Sequence, residues 1–84
     1  MGTWSTFHYT LKSGESGNYW WSWNDPNGGP SFGEPREFTG STRNNLLVVT
    51  AYATLRGNDN NMNYYIWITN KGPSTASFEI MGGF

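Results

Sequence analysis

The chain has no cysteine among its 84 residues. That excludes disulfides and every thiolate metal site. Charge is scarce as well, with 13% of residues charged and a net charge of −1. The five Lys and Arg are spread from Lys12 to Lys71 and form no basic stripe. Binding to nucleic acid through phosphate neutralisation is therefore not expected. No stretch approaches the roughly 18 consecutive apolar residues of a membrane-spanning helix. The opening MGTWSTFHYT has no basic region followed by an apolar run, so it does not read as a signal peptide. Either cytoplasmic synthesis or excision from a longer chain is expected, and the location is otherwise open.

What the chain has in abundance is aromatic rings. Trp, Tyr and Phe occur five times each, against nine Val, Ile and Leu together. A chain this short buries roughly 60–65% of its unfolded surface, so a single core needs supplementing. With disulfides excluded, aromatic packing and self-association are the expected supplements, and a small homo-oligomer is expected. The polar residues are mostly Asn, Ser, Thr and Gly, which suit a surface that makes neutral hydrogen bonds. Residues 1–84 are read as one β domain.

Alternation with period 2 dominates the chain, and no window has helical spacing. A first strand is predicted over Trp4 to Leu11, with Phe7, Tyr9 and Leu11 on one face and Trp4, Thr6, His8 and Thr10 on the other. A second, Asn18 to Trp23, places Tyr19, Trp21 and Trp23 on one face and Trp20 on the opposite one. Asn24 to Pro35 reads as irregular, because its prolines and glycines disfavour regular structure. A short strand is predicted over Glu37 to Thr42. Leu46 to Arg56 should place Leu47, Val49, Ala51, Ala53 and Leu55 on one face, the alanines lying under an aromatic from a facing sheet. GNDNN at 57 to 61 reads as a hairpin loop. Met62 to Thr69 then alternates Met62, Tyr64, Ile66 and Ile68 with Asn63, Tyr65, Trp67 and Thr69. The last strand, Thr75 to Phe84, alternates Ala76, Phe78 and Ile80 with Thr75, Ser77 and Glu79.

About six short strands with closely spaced turns predict an all-β fold, a single small antiparallel β-sandwich or flattened barrel. The region from Leu46 onward carries an aromatic strand, the turn Thr69-Asn70-Lys71-Gly72, and a Ser/Thr-x-Phe strand. This T-N-x-G hairpin resembles those closing many small microbial β-sandwich modules. The resemblance implies a fold and no activity.

The WWSW run is the first candidate site. A sugar's C–H face lies well on an indole, and nearby Asn and Asp can take its hydroxyls. Trp20 and Trp23 are the expected wall, with Asn24, Asp25 and Asn27 as polar partners. Tyr65 and Trp67, sharing a face, are a second candidate wall. The competing reading packs all three tryptophans of the run inside the protomer or between subunits. The Asn-rich loops, including Asn44, Asn45 and Asn58 to Asn61, fit sugar hydroxyls but equally fit turn chemistry. Asp25 and Asp59 each lack the spaced carboxylates of a calcium loop, so neither a metal nor another cofactor is expected. Glu34 and Glu37 are read as a solvated edge beside Arg36 rather than a catalytic pair. His8, the lone histidine, is read as a surface group.

An enzyme is thus not expected. The leading expectation is a non-enzymatic binding module, a lectin-like carbohydrate binder that is multivalent through oligomerisation. The partner would be a glycan or another neutral polar ligand. A structural self-assembly protein with aromatic subunit interfaces is the alternative. A third reading, contact with a membrane interface through Trp and Tyr, has few basic residues near WWSW to support it.

Overall fold

The computed structural model describes residues 2–24, 31–38, 45–57 and 61–83. Seven strands follow one another among them: β1 (Thr3–Ser5), β2 (Tyr9–Leu11), β3 (Ser16–Asn24), β4 (Phe32–Glu37), β5 (Leu47–Arg56), β6 (Asn61–Asn70) and β7 (Ala76–Gly83). They form two antiparallel sheets. In one, β7 is central; β1 and β2 run end to end along one side of it and β4 along the other. In the other, the order is β3-β6-β5. The all-β expectation holds, with seven strands where about six are predicted.

The two central strands supply the core. Tyr64, Ile66 and Ile68 of β6 and Ala76, Phe78 and Ile80 of β7 are buried, on the faces their alternation predicts. Leu11 completes the buried set, and Trp4, Tyr9, Tyr19, Trp21 and Leu47 pack around it. Rings close the gaps between aliphatic groups: Tyr9 and Tyr19 meet at 4.7 Å, and Tyr19 stands edge-on to Phe78 at 5.7 Å.

Two irregularities shift the expected faces. The predicted first strand is broken over Thr6 to His8. Thr6 N–H donates to Ile80 O, while Tyr9 already pairs with Phe78. Phe7 and His8 therefore stand opposite Glu79 alone, as in a β-bulge. The extra residue turns Trp4 inward together with Tyr9 and Leu11 and throws Phe7 outward, where it is 86% exposed. Phe7 is thus not on the face with Tyr9 and Leu11. A second shift lies between Val49 and Ala51 in β5. It moves Ala51, Ala53 and Leu55 onto the face opposite Val49, and both alanines are exposed. Their bulky neighbours are Trp67 and Tyr65 on the adjacent strand, not a ring from a facing sheet.

The predicted strand at Glu37 to Thr42 lies earlier, at Phe32–Glu37, and includes Pro35. Phe38 N–H donates to Ser77 O, so alternation turns Arg36 and Glu34 toward β7 and the Pro35 nitrogen away from it. A proline costs nothing in the ladder there, because β4 is an edge strand. Residues 39–42 of the predicted strand lie outside the described residues.

The T-N-x-G turn is built around Asn70, which is fully buried. Its Nδ2 donates to Leu11 O at 2.9 Å and Ser74 O at 2.8 Å, and its Oδ1 accepts from Gly72 N–H at 2.9 Å. One amide thus joins the end of β2 to the β6–β7 connection. A side chain at Gly72 would collide with the Asn45 backbone. Asn45 itself accepts from Ser74 N–H and donates to Glu37 and Thr75 O.

Asn70→Ala would leave buried backbone groups without partners, so a loss of about 2–4 kcal/mol in urea unfolding is expected. Asn70→Asp, which keeps the acceptor but loses both donors, should recover little of it. Burial pushes the Tyr19 phenol above its usual pKa of 10.0, with Tyr9 and then Glu15 adding to the effect. The folded state holds this proton more tightly than the unfolded chain does. That contribution is complete below about pH 10 and is lost as pH rises through the higher folded value. Tyr19→Phe should flatten the alkaline fall in thermal unfolding temperature.

Candidate functional site

Residues on β3 alternate in and out, which places the four rings of its YWWSW run on two different surfaces. Tyr19, Trp21 and Trp23 face inward, and Trp20 faces outward with 64% of its surface exposed. Trp20 and Trp23 are three residues apart and so cannot form one wall. The expected pairing of these two rings is corrected by strand geometry.

The outward face of β3-β6-β5 is built in rows. Trp20 lies opposite Tyr65, which lies opposite Ala53. In the next row Asn18 lies opposite Trp67, which lies opposite Ala51. On the other side of the ring pair stands the row Ser22, Asn63, Leu55, in which Ser22 hydroxyl donates to Asn63 Oδ1. Tyr65 and Trp67 have ring centroids 6.4 Å apart and planes inclined by 32°. The two walls proposed from sequence are therefore rearranged: Trp20 joins Tyr65 and Trp67, and Trp23 leaves. Alanine in the third column leaves the ring flanks open, and no described strand packs over this face. Asn18, Asn63 and Ser22 supply amide and hydroxyl groups beside the rings.

The inward-facing rings form a second feature, a cleft of about 270 Å³ lined by Trp4, Trp21, Ser22, Trp23 and Ser31. Its organiser is Ser31, only 2% exposed. Ser31 Oγ accepts from the indole N–H of Trp4 at 3.2 Å and of Trp21 at 3.1 Å, and donates to Gly83 O at 3.2 Å. Its backbone N–H donates to the Tyr64 hydroxyl at 3.0 Å. A serine hydroxyl has one donor and two acceptor positions, and all three are used. Trp21 also stacks on Tyr64 at 5.6 Å, with planes 9° apart, and meets Trp4 at 4.9 Å. Glycine at 33 and 82 makes room for these indoles, since a side chain at either position would strike the Trp4 ring. The cleft is therefore an apolar pocket whose buried hydroxyl is already saturated. Its volume also falls below the range of about 300–1,000 Å³ usual for small-molecule sites.

The remaining predicted residues separate. Asn24 ends β3, opposite Asn61. Asp25, Asn27, Asn44 and Asp59 lie outside the described residues. Asn45, offered as a sugar ligand, instead holds the β6–β7 connection. Glu34 and Glu37 fall on opposite faces of β4, and Glu37 accepts from Asn45 at 3.0 Å. His8 meets Phe38 at 4.3 Å, with the ring planes inclined by 51°. Sequence reasoning misses Ser31, Asn18 and Asn63. Nothing in the pattern Pro30-Ser31-Phe32 distinguishes a hub from a loop serine. Asn18 and Asn63 could have been found by carrying the outward alternation of β3 and β6 through to its polar members.

Comparison with protein-family models, curated proteins and solved structures finds no match to this chain. The fold and the two aromatic features define a small antiparallel β module.

Ser31→Ala removes the acceptor shared by two half-buried indoles, and a loss of roughly 1–3 kcal/mol is expected. The matching optical change is a shift in Trp near-ultraviolet circular dichroism with the far-ultraviolet β signal retained.

Proposed function

We propose that this chain is a non-enzymatic binding module for a neutral glycan, held on the outward face of β3-β6-β5. The observation that carries this reading is the exposed Trp20 directly across from Tyr65, with Trp67 in the adjoining row. Leaving most of one indole in water forgoes on the order of 3 kcal/mol of burial. Beside Tyr65 and Trp67 this indole makes an exposed aromatic patch of the kind found at contact surfaces. The rings offer apolar faces to sugar C–H groups, and the neutral side chains of Asn18, Asn63 and Ser22 offer donors and acceptors to hydroxyls. The three rows around these rings contain no charged side chain, which favours an uncharged ligand. A sheet face is open rather than enclosing, so an extended oligosaccharide suits it better than a single ring in a pocket. The likeness of the T-N-x-G hairpin to small microbial β-sandwich modules agrees with a carrier fold of this kind and adds no activity.

A glycan array followed by acrylamide quenching of Trp fluorescence tests the reading. A bound neutral oligosaccharide should protect part of the Trp emission. Trp20→Ala should then weaken binding about tenfold or more, the 1.4 kcal/mol scale of one substantial contact ring. Absence of binding across neutral glycans, with unchanged quenching, would overturn it. A blue shift on neutral liposomes without glycan binding would replace it with the membrane-interface reading.

A further inference from the structure

β5 is the strand that the fold leaves uncovered. Its last eight residues, Val49 to Arg56, are all exposed, including Tyr52 at 49% and Leu55 at 56%. It is an end strand of its sheet, and no described strand pairs with its other side. Natural edge strands are normally blunted by charges, proline or a covering element. LVVTAYATLR carries one charge, at its end, and no proline. The bulge at Thr50 is its only irregularity and leaves 51 to 56 regular.

The backbone direction along this edge follows from the hairpin. Gly57 N–H donates to Asn61 O, so Gly57 is turned toward β6. Alternation then turns Leu55, Ala53 and Ala51 toward β6, and Tyr52 and Thr54 toward the free edge. By the same rule Leu46, which accepts from Lys71 N–H, leaves Leu47 and Val49 directed outward.

We propose that a second copy of this chain pairs with β5, antiparallel, about a two-fold axis at Ala53. In that register Tyr52 exchanges both backbone hydrogen bonds with Thr54 of the partner subunit, and Thr54 does the same with the partner's Tyr52. Ala53 faces its own copy at a non-hydrogen-bonded position, where the Cα atoms approach to about 4.5 Å and a small side chain fits. Ala51 lies across from the partner's Leu55. Charge selects the orientation, because an in-register parallel pair would set Arg56 against Arg56, whereas the antiparallel pair holds them apart. In this register the strands overlap from Thr50 to Arg56, and covering the edge and both flanks of that stretch buries on the order of 350–420 Å² per copy. The total, about 700–850 Å², is that of a weak, reversible dimer rather than a permanent one.

The product is one continuous sheet, β3-β6-β5-β5-β6-β3, closed by symmetry. Its two-fold axis is perpendicular to the sheet, so both copies of Trp20, Tyr65 and Trp67 point the same way. The two β6 strands are three strand spacings apart, about 14 Å. A divalent aromatic platform is the consequence if the glycan reading holds; the pairing itself does not depend on that reading.

Sedimentation equilibrium needs no ligand and therefore tests the pairing separately. A two-subunit mass at about 100 μM and above is expected, with the Tyr52 and Thr54 amides exchanging about tenfold or more slowly than on dilution to monomer. The chain has no cysteine, so Ala53→Cys should give a single disulfide-linked dimer on mild oxidation, the separation lying within disulfide range. Thr54→Pro removes a donor aimed at the free edge while sparing the β5–β6 ladder, and should yield a folded monomer. A monomeric wild type would overturn the proposal. So would an open series of oligomers, the signature of β5 pairing head-to-tail with β3, or a dimer that Ala53→Cys fails to cross-link. Amide exchange on the wild type decides the matter if Thr54→Pro does not fold.

Discussion

One row of β6 lies against one row of β7, and the rest of the structure is arranged around that contact. Tyr64, Ile66 and Ile68 on one side and Ala76, Phe78 and Ile80 on the other are buried. Of the nine Val, Ile and Leu in the chain, only Ile66, Ile68 and Ile80 lie in these rows, with Leu11 beside them. Rings must fill the flanks, and they are large enough to do so at low residue cost. Tyr9 and Tyr19 close one flank against Phe78; Trp4 and Trp21 close the other around Tyr64. The facing sheet reaches β3 and β6 but leaves most of β5 exposed.

Two buried polar hubs hold the two ends of this contact. At one end Asn70 ties β2 to the β6–β7 connection. At the other Ser31 ties β1, β3 and β6 to the end of β7. Each is buried, and each makes at least three hydrogen bonds that offset the cost of burying it. The hubs also set the inner polar groups apart from the outer ones. Polar groups on the inside are committed to the fold, whereas Asn18 and Ser22 on the outer face remain exposed. The cleft and the outer face thus share one strand but have different chemistry. The first is apolar with its hydroxyl spent, and the second pairs rings with neutral polar groups.

Much of this was legible from alternation. The inner rows of β6 and β7, and the division of Trp20 from Trp21, follow from a period of two once the strands are accepted. The errors cluster where one residue is inserted into a ladder. Phe7 and the alanines of β5 change face because bulges at Thr6–His8 and Val49–Ala51 shift the count by one. A bulge is a relation between two strands, so the sequence of one strand does not announce it. Pro35 misled for a related reason. Proline argues against a strand unless its nitrogen faces away from the neighbour, and only the pairing with β7 shows that it does.

Composition and period by themselves determined the all-β class, the absence of disulfides, the reliance on aromatic packing, and the outward side of β3 on which Trp20 sits. Those properties are local: alternation alone separates the two faces of a strand. Only the tertiary structure decided which rings share a surface. Trp20 and Trp23 are close in sequence yet lie on opposite faces. Trp20 and Tyr65 are far apart in sequence yet lie side by side. Register between β3 and β6 sets that proximity, and register is fixed by burying Tyr64, Ile66 and Ile68 together rather than by any residue of the WWSW run itself.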